Sequence, residues 1–179
     1  MKKVFICMLL LLINSSMYGA STTNNTECSR SDEDIASLNT IKLSVMQMMN
    51  NEFNDLYTVS TTILGYCEDA SEEKMFFEID ANVNSFLSLD GKHQIVFDTP
   101  YSAIMYHLSS TFNLCYASAH EEKVEFRKFL KFDKAKEQAE YYDCCLIYSK
   151  DRRDSSWERY LISSDDSFGY WYLALIPYI

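Results

Sequence analysis

The stretch Lys74-Met75-Phe76-Phe77-Glu78-Ile79-Asp80-Ala81-Asn82-Val83 decides the fold class. Met75, Phe77, Ile79, Ala81 and Val83 alternate with Phe76, Glu78, Asp80 and Asn82. A period of two puts the first set on one face of a β-strand and the second set on the other. Such a strand needs partners, and two follow at once. Asp90-Gly91 is a hairpin signal, with Ser85 to Leu89 before it and His93 to Phe97 after it.

Upstream, Leu56 to Leu64 is rich in β-branched residues (Thr58, Val59, Thr61, Thr62, Ile63) and reads as a further strand. Ahead of it, Ile35, Leu38, Ile41, Val45 and Met48-Met49 recur at three- and four-residue steps. That spacing predicts a helix opened by Asp32 and Asp34 and closed by Asn50 and Asn51, with its apolar stripe on the core. Methionines also suit adaptable binding faces, but core packing is the stronger reading.

Downstream, Thr99-Pro100 starts either a helix to about Phe112 or a loop and a strand through Ala103 to Leu108. Lys123 to Phe132 alternates as a strand does, and Asp133 to Glu140 reads as a short helix or loop. Tyr141 to Tyr148 is apolar and aromatic, and Asp151 to Asp154 is a charged turn. Ser156 to Ile162 reads as a strand, Ser163 to Ser167 as a turn, and Phe168 to Ile179 as a last strand buried on both faces. The sum is mainly β: one N-terminal helix, then seven or eight short strands in an antiparallel barrel or, alternatively, a sandwich. No repeat or Gly/Pro-rich linker divides residues 32–179, which read as a single domain.

Met1-Lys2-Lys3, the apolar run Val4 to Ile13 and the small residues Gly19-Ala20 have the layout of a secretory signal over residues 1–20. Secretion is therefore expected. Neither this run nor Phe168 to Ile179 is long enough for a membrane-spanning helix. Residues 21–31 are small and polar, so they read as flexible, and they carry a glycosylation triplet at Asn24. The chain has 16 basic and 26 acidic residues; without Lys2 and Lys3 the balance is 14 minus 26, or −12. This charge repels phosphate backbones, so nucleic acid is not an expected partner.

Cys28, Cys67, Cys115, Cys144 and Cys145 lie beyond the signal. In an oxidising compartment they are expected to form two bridges and leave one thiol. Adjacent strand residues face opposite ways, so Cys144 and Cys145 would seek different partners. No Cys-x-x-Cys occurs, and His93, His107 and His120 are scattered, so no metal site is expected. Gly-x-Ser-x-Gly, phosphate-binding glycine loops and His-Glu-x-x-His are likewise missing; neither a cofactor nor an enzymatic role is expected.

Several segments together resemble the secreted salivary lipocalins of ticks, the group that includes histamine-binding proteins. They are Leu56-Tyr57-Thr58-Val59-Ser60-Thr61-Thr62 with Cys67 shortly after, Glu73-Lys74 opening Met75-Phe76-Phe77-Glu78, Asp143-Cys144-Cys145-Leu146-Ile147-Tyr148, and Trp157-Glu158-Arg159-Tyr160-Leu161. The chain departs from that family in having no cysteine after Cys145. The resemblance implies a closed eight-stranded barrel that sequesters a biogenic amine such as histamine, or a lipid mediator. A cationic amine needs a carboxylate and an aromatic face. Glu78 and Asp80 share a strand face with Phe76, and Trp157 and Tyr160 lie on another expected strand near Glu158, so Glu78, Asp80, Trp157 and Tyr160 are the expected ligand-binding residues. Plain exposure on an outer face is the competing reading for the carboxylates. The alternative function is a secreted β-sandwich decoy, as in immune evasion, that binds an extracellular host or partner protein through a surface patch.

Overall fold

The structure, a computed structural model, describes residues 32–133, 139–151, 160–165 and 167–177. The expected signal, Asn24, Cys28 and Trp157 lie outside the described residues. The chain order is α1 (Asp32–Asn51), α2 (Phe53–Asp69), β1 (Lys74–Asp80), β2 (Ser85–Ser88), β3 (Gln94–Val96), a 3₁₀ turn at Thr99–Tyr101, α3 (Ser102–Thr111), β4 (Leu114–Ser118), β5 (Lys123–Asp133), β6 (Ala139–Ser149), β7 (Leu161–Asp165) and β8 (Gly169–Pro177).

All eight strands join one antiparallel sheet in the order β3-β2-β1-β4-β5-β6-β8-β7. The mainly β class holds, as does the hairpin around Asp90-Gly91; the expected strand from Lys74 forms but ends at Asp80, and residues 81–84 turn into β2, which leaves Val83 exposed. The closed barrel does not hold. The sheet ends at two edges, β3 and β7, and the helices lie across one of its faces. Nor is it a sandwich, because the second layer is helical.

The main correction is α2. Leu56 to Leu64 was expected to be a strand because of its β-branched content, yet it forms a helix. Its buried residues are Leu56, Val59, Ser60, Ile63, Leu64 and Cys67, which recur at helical spacing. The hydroxyls of Thr58, Ser60 and Thr61 donate to the carbonyls of Asn54, Leu56 and Tyr57, one turn back, so they fit inside a helix. Tertiary packing of that stripe outweighs propensities worth only tenths of a kcal/mol per residue. At Thr99-Pro100 the helical option holds.

Met75, Phe77, Cys115, Ala117, Val124, Phe126, Cys144, Leu146, Tyr148 and Trp171 point to the helices and share one core with Val45, Met48, Leu56, Ile63, Ile104 and Leu108. Aromatic contacts pin the start of α2 to the sheet. Phe53 lies 5.8 Å from Trp171, Tyr57 lies 5.9 Å from Tyr148, and Tyr148 lies 4.9 Å from Trp171. At the α1–α2 joint, Glu52 brings a carboxylate oxygen 3.0 Å from His107 Nδ1 on α3.

Among the described residues, no helix lies on the second face of the sheet. Alternation places Phe76, Glu78 and Asp80 of β1 on it, with Leu87 of β2, Val96 of β3, Tyr116 of β4, Glu125 and Arg127 of β5, and Cys145 of β6.

Candidate binding face

The centre of the helix-free face is polar and ordered by cross-strand register. Glu125 stands opposite Tyr116 on β4 and Ile147 on β6. It is only 3% exposed, a position a carboxylate holds only when its charge is matched. The match comes from its own strand, two residues to either side. Lys123 Nζ is 3.1 Å from Glu125 Oε1, and Arg127 Nε donates to Glu125 Oε2 at 2.8 Å. Arg127 Nη2 also pairs with Glu125 Oε2, and Lys123 pairs with Glu121. Asp143 of β6 approaches Arg127 at 3.8 Å. Burial pushes the Asp143 carboxyl above its ordinary range despite the nearby guanidinium.

The network extends into an aromatic ladder. The Arg127 guanidinium lies 5.0 Å from the centre of the Tyr116 ring, and the Tyr116 and Phe76 rings are 4.9 Å apart. From Phe76 outward the face turns apolar and acidic. Its rows, read from the register, are Phe76 beside Leu89, Glu78 beside Leu87 and Gln94, and Asp80 beside Ser85 and Val96. Phe76, Leu87, Leu89 and Val96 are 44%, 41%, 57% and 65% exposed. Glu78 and Asp80 are exposed among them. Asp80 also accepts the Asn82 backbone N–H at 2.8 Å.

Phe76 and Leu89 form one wall of a cleft of about 250 Å³, which is also lined by Glu72, Lys74, Asp90 and His93. Asp90 accepts from the Ser88 hydroxyl at 2.6 Å and pairs with Lys92 at 3.1 Å, and the Ser88 bond leads in holding its carboxyl well below the usual carboxylate range. Tyr66 Oη stands 3.4 Å from His93 Nδ1 at the same end.

The expected ligand set is thus divided. Glu78 and Asp80 share a face with Phe76, as their spacing predicts, but the β1–β3 end of that face is exposed rather than turned into a closed barrel. Tyr160 does not join them. It packs with Leu161 on a second apolar cluster of Cys145, Ile147, Tyr172 and Ala174. That cluster lies on β6 and β8, three and four strand spacings from β1, about 14–19 Å along the sheet. Trp157 lies outside the described residues. Glu125 and Arg127 were missed by the sequence reading, although Lys123, Glu125 and Arg127 alternate in sign at strand spacing.

The expected bridges are also corrected: Cys67, Cys115, Cys144 and Cys145 are buried thiols. Cys145 faces the second cluster, whereas Cys67, Cys115 and Cys144 face the helix-side core. Cys115 and Cys144 are separated by β5 and by two residues of register, about 12 Å, well beyond disulfide reach. The Cys67 thiol donates to the Glu72 carbonyl at 2.9 Å. Burial raises all four thiols, with Cys144 pushed up to about 12.

Among the described residues, no group of three His, Cys, Asp or Glu side chains is placed to hold a metal ion, and no helix is long and apolar enough to cross a membrane. No protein-family model matches the chain, and no curated protein or solved structure is significantly similar to it.

Proposed function

We propose that this chain is a secreted, non-catalytic binding protein that engages an extracellular partner protein through the helix-free face of its sheet. One observation carries the reading. Phe76, Leu87, Leu89 and Val96 are clustered and exposed on a sheet face that no helix among the described residues covers. Grouped exposure of large apolar side chains, rimmed by polar ones, marks interaction sites on soluble proteins. The Lys-rich start and the apolar run Val4 to Ile13 support export.

The test is affinity capture from extracellular fluid with immobilised wild-type chain and with a Phe76→Ser/Leu87→Ser variant. Both positions are solvent-facing, so the variant keeps its fold, as checked by thermal unfolding. Loss of a captured protein supports the reading, and equal capture by both sinks it.

The cleft favours a second reading. Glu72, Asp90 and the Phe76 ring are the groups a small cationic amine needs. At about 250 Å³ the cleft lies just under the usual range for ligand pockets, which suits a small amine better than a fatty acid. Titration with histamine, serotonin and a fatty acid, followed by heat and tryptophan emission, separates the two readings.

A further inference from the structure

We infer that the partner seated on the β1–β3 end of the helix-free face presents a basic surface with apolar side chains at its centre. The inference rests on the reading that this face engages a partner protein, and it adds that partner's chemistry.

Two features are interleaved at this end. The apolar residues Phe76, Leu87, Leu89 and Val96 would be desolvated by any partner that covers them. The carboxylates lie among them rather than apart. Glu78 is directly cross-strand from Leu87, and Asp80 shares a row with Ser85 and Val96. A partner resting on Leu87 therefore meets Glu78. If that partner offered no cation, the carboxylate would lose water without recompense. Within the face and the adjoining cleft, Glu72, Glu78, Asp80 and Asp90 stand against Lys74 and Lys92, and Lys92 is already paired with Asp90. Four carboxylates against two ammonium groups leave a local excess of two negative charges.

The whole-chain charge of −10 has the same sign and draws cationic partners from a distance. It also argues against a second copy of this chain, which would bring −10 toward −10 and set Glu78 and Asp80 near their own equivalents. A basic partner resolves both problems. Lys or Arg stems cover Leu89 and Val96 while their heads reach Glu78 and Asp80. An arginine can also stack on the exposed Phe76 ring.

The experiment uses the full chain with three short synthetic peptides: one alternating Leu and Lys, one alternating Leu and Glu, and one alternating Ser and Lys. Binding is read by calorimetry, and the site by amide chemical shifts. The Leu/Lys peptide should shift β1–β3 resonances, and its affinity should fall about tenfold in Phe76→Ser and again in Glu78→Lys/Asp80→Lys. The Ser/Lys peptide should bind more weakly and be indifferent to Phe76→Ser.

If the Leu/Glu peptide binds β1–β3 as well as the Leu/Lys peptide, the basic-partner inference falls while the face remains a binding face. If no peptide shifts β1–β3, both the inference and the face reading fail. A concentration-dependent dimer that Phe76→Ser abolishes would name a second copy as the occupant and overturn the inference.

Discussion

Replacing Glu125 by glutamine tests the centre of the helix-free face. The substitution keeps the shape and removes one negative charge. Lys123 and Arg127 are then left beside each other without their shared counter-ion. Removing one partner of a buried ion pair costs about 3–5 kcal/mol when the remaining charge is sealed from water. Here the side chains of Lys123 and Arg127 are 21% and 29% exposed, so both recover part of their hydration. Glu121 and Asp143 also remain nearby. The expected loss is therefore smaller, about 2–3 kcal/mol, or a fall in melting temperature of roughly 5–10 °C for a domain of this size. Urea unfolding followed by the emission of buried Trp171 measures it. The pH dependence has a fixed sign. Desolvation alone would lower the Lys123 pKa, but its bond to Glu121 and the Glu125 charge outweigh it and raise the pKa. The stability from Lys123 is thus fully present below the ordinary lysine value of about 10.4 and lost as pH rises through the higher folded value. Glu125→Gln should shrink that alkaline loss. A change below about 0.5 kcal/mol, the range of ordinary surface substitutions, with an unaltered alkaline limb would refute the reasoning.

Gly169 opens β8 at φ +69°, where an added Cβ would stand 2.6 Å from the Ser149 carbonyl oxygen and 2.8 Å from Tyr148. Gly169→Ala combines a left-handed penalty with a backbone clash and should cost about 2–5 kcal/mol; Gly91→Ala, at φ +71° with open space around it, should cost only about 1–2 kcal/mol. Cys115, Cys144 and Cys145 should resist iodoacetamide at pH 7 until the chain is unfolded, because burial keeps them protonated; rapid labelling of the native protein would contradict that. Glu52→Ala should cost about 1–2 kcal/mol by leaving His107 without its partner. The loss should be less than additive with His107→Ala in a double-mutant cycle.

The legible parts of the sequence were those set by local pattern. The alternation in β1, the Asp90-Gly91 turn and the apolar stripe of α1 each depend on residues a few positions apart. Leu56 to Leu64 failed because two local signals conflict there. Its composition favours a strand, while Leu56, Val59, Ser60, Ile63 and Leu64 keep helical spacing, and the core that rewards this spacing is built from distant strands. That error supplied an extra strand and with it a closed barrel. The absence of closure was not legible, because the sheet order comes from non-local pairings such as β1 with β4. The candidate face was half legible. Spacing put Phe76, Glu78 and Asp80 together, but the burial of Glu125 depends on neighbours from β4 and β6.

The polar centre and the apolar end of the helix-free face are physically linked through Tyr116 and Arg127. An exposed phenylalanine normally loses rotamer freedom when a partner covers it, at about 0.5–1.5 kcal/mol for an immobilised side chain. Phe76 is partly fixed beforehand. Its ring rests 4.9 Å from Tyr116, the Tyr116 ring lies under Arg127 at 5.0 Å, and Arg127 is held in turn by Glu125. On the proposed binding mode, Glu125 acts as a positioning residue for a contact it does not make. Glu125→Gln, studied at a temperature where the variant is fully folded, should weaken the Leu/Lys peptide about two- to tenfold. Removing a buried negative charge could also weaken a cationic peptide directly, so the Ser/Lys peptide serves as the control. A positioning role weakens the Leu/Lys peptide more than the Ser/Lys peptide, whereas a purely electrostatic role weakens both equally. In Phe76→Ser the ladder has no ring left to hold, and adding Glu125→Gln should cost the Leu/Lys peptide nothing further beyond the shared charge effect. Equal weakening of both peptides, or an undiminished effect of Glu125→Gln in Phe76→Ser, would show that the network stabilises the sheet without preparing the face for binding.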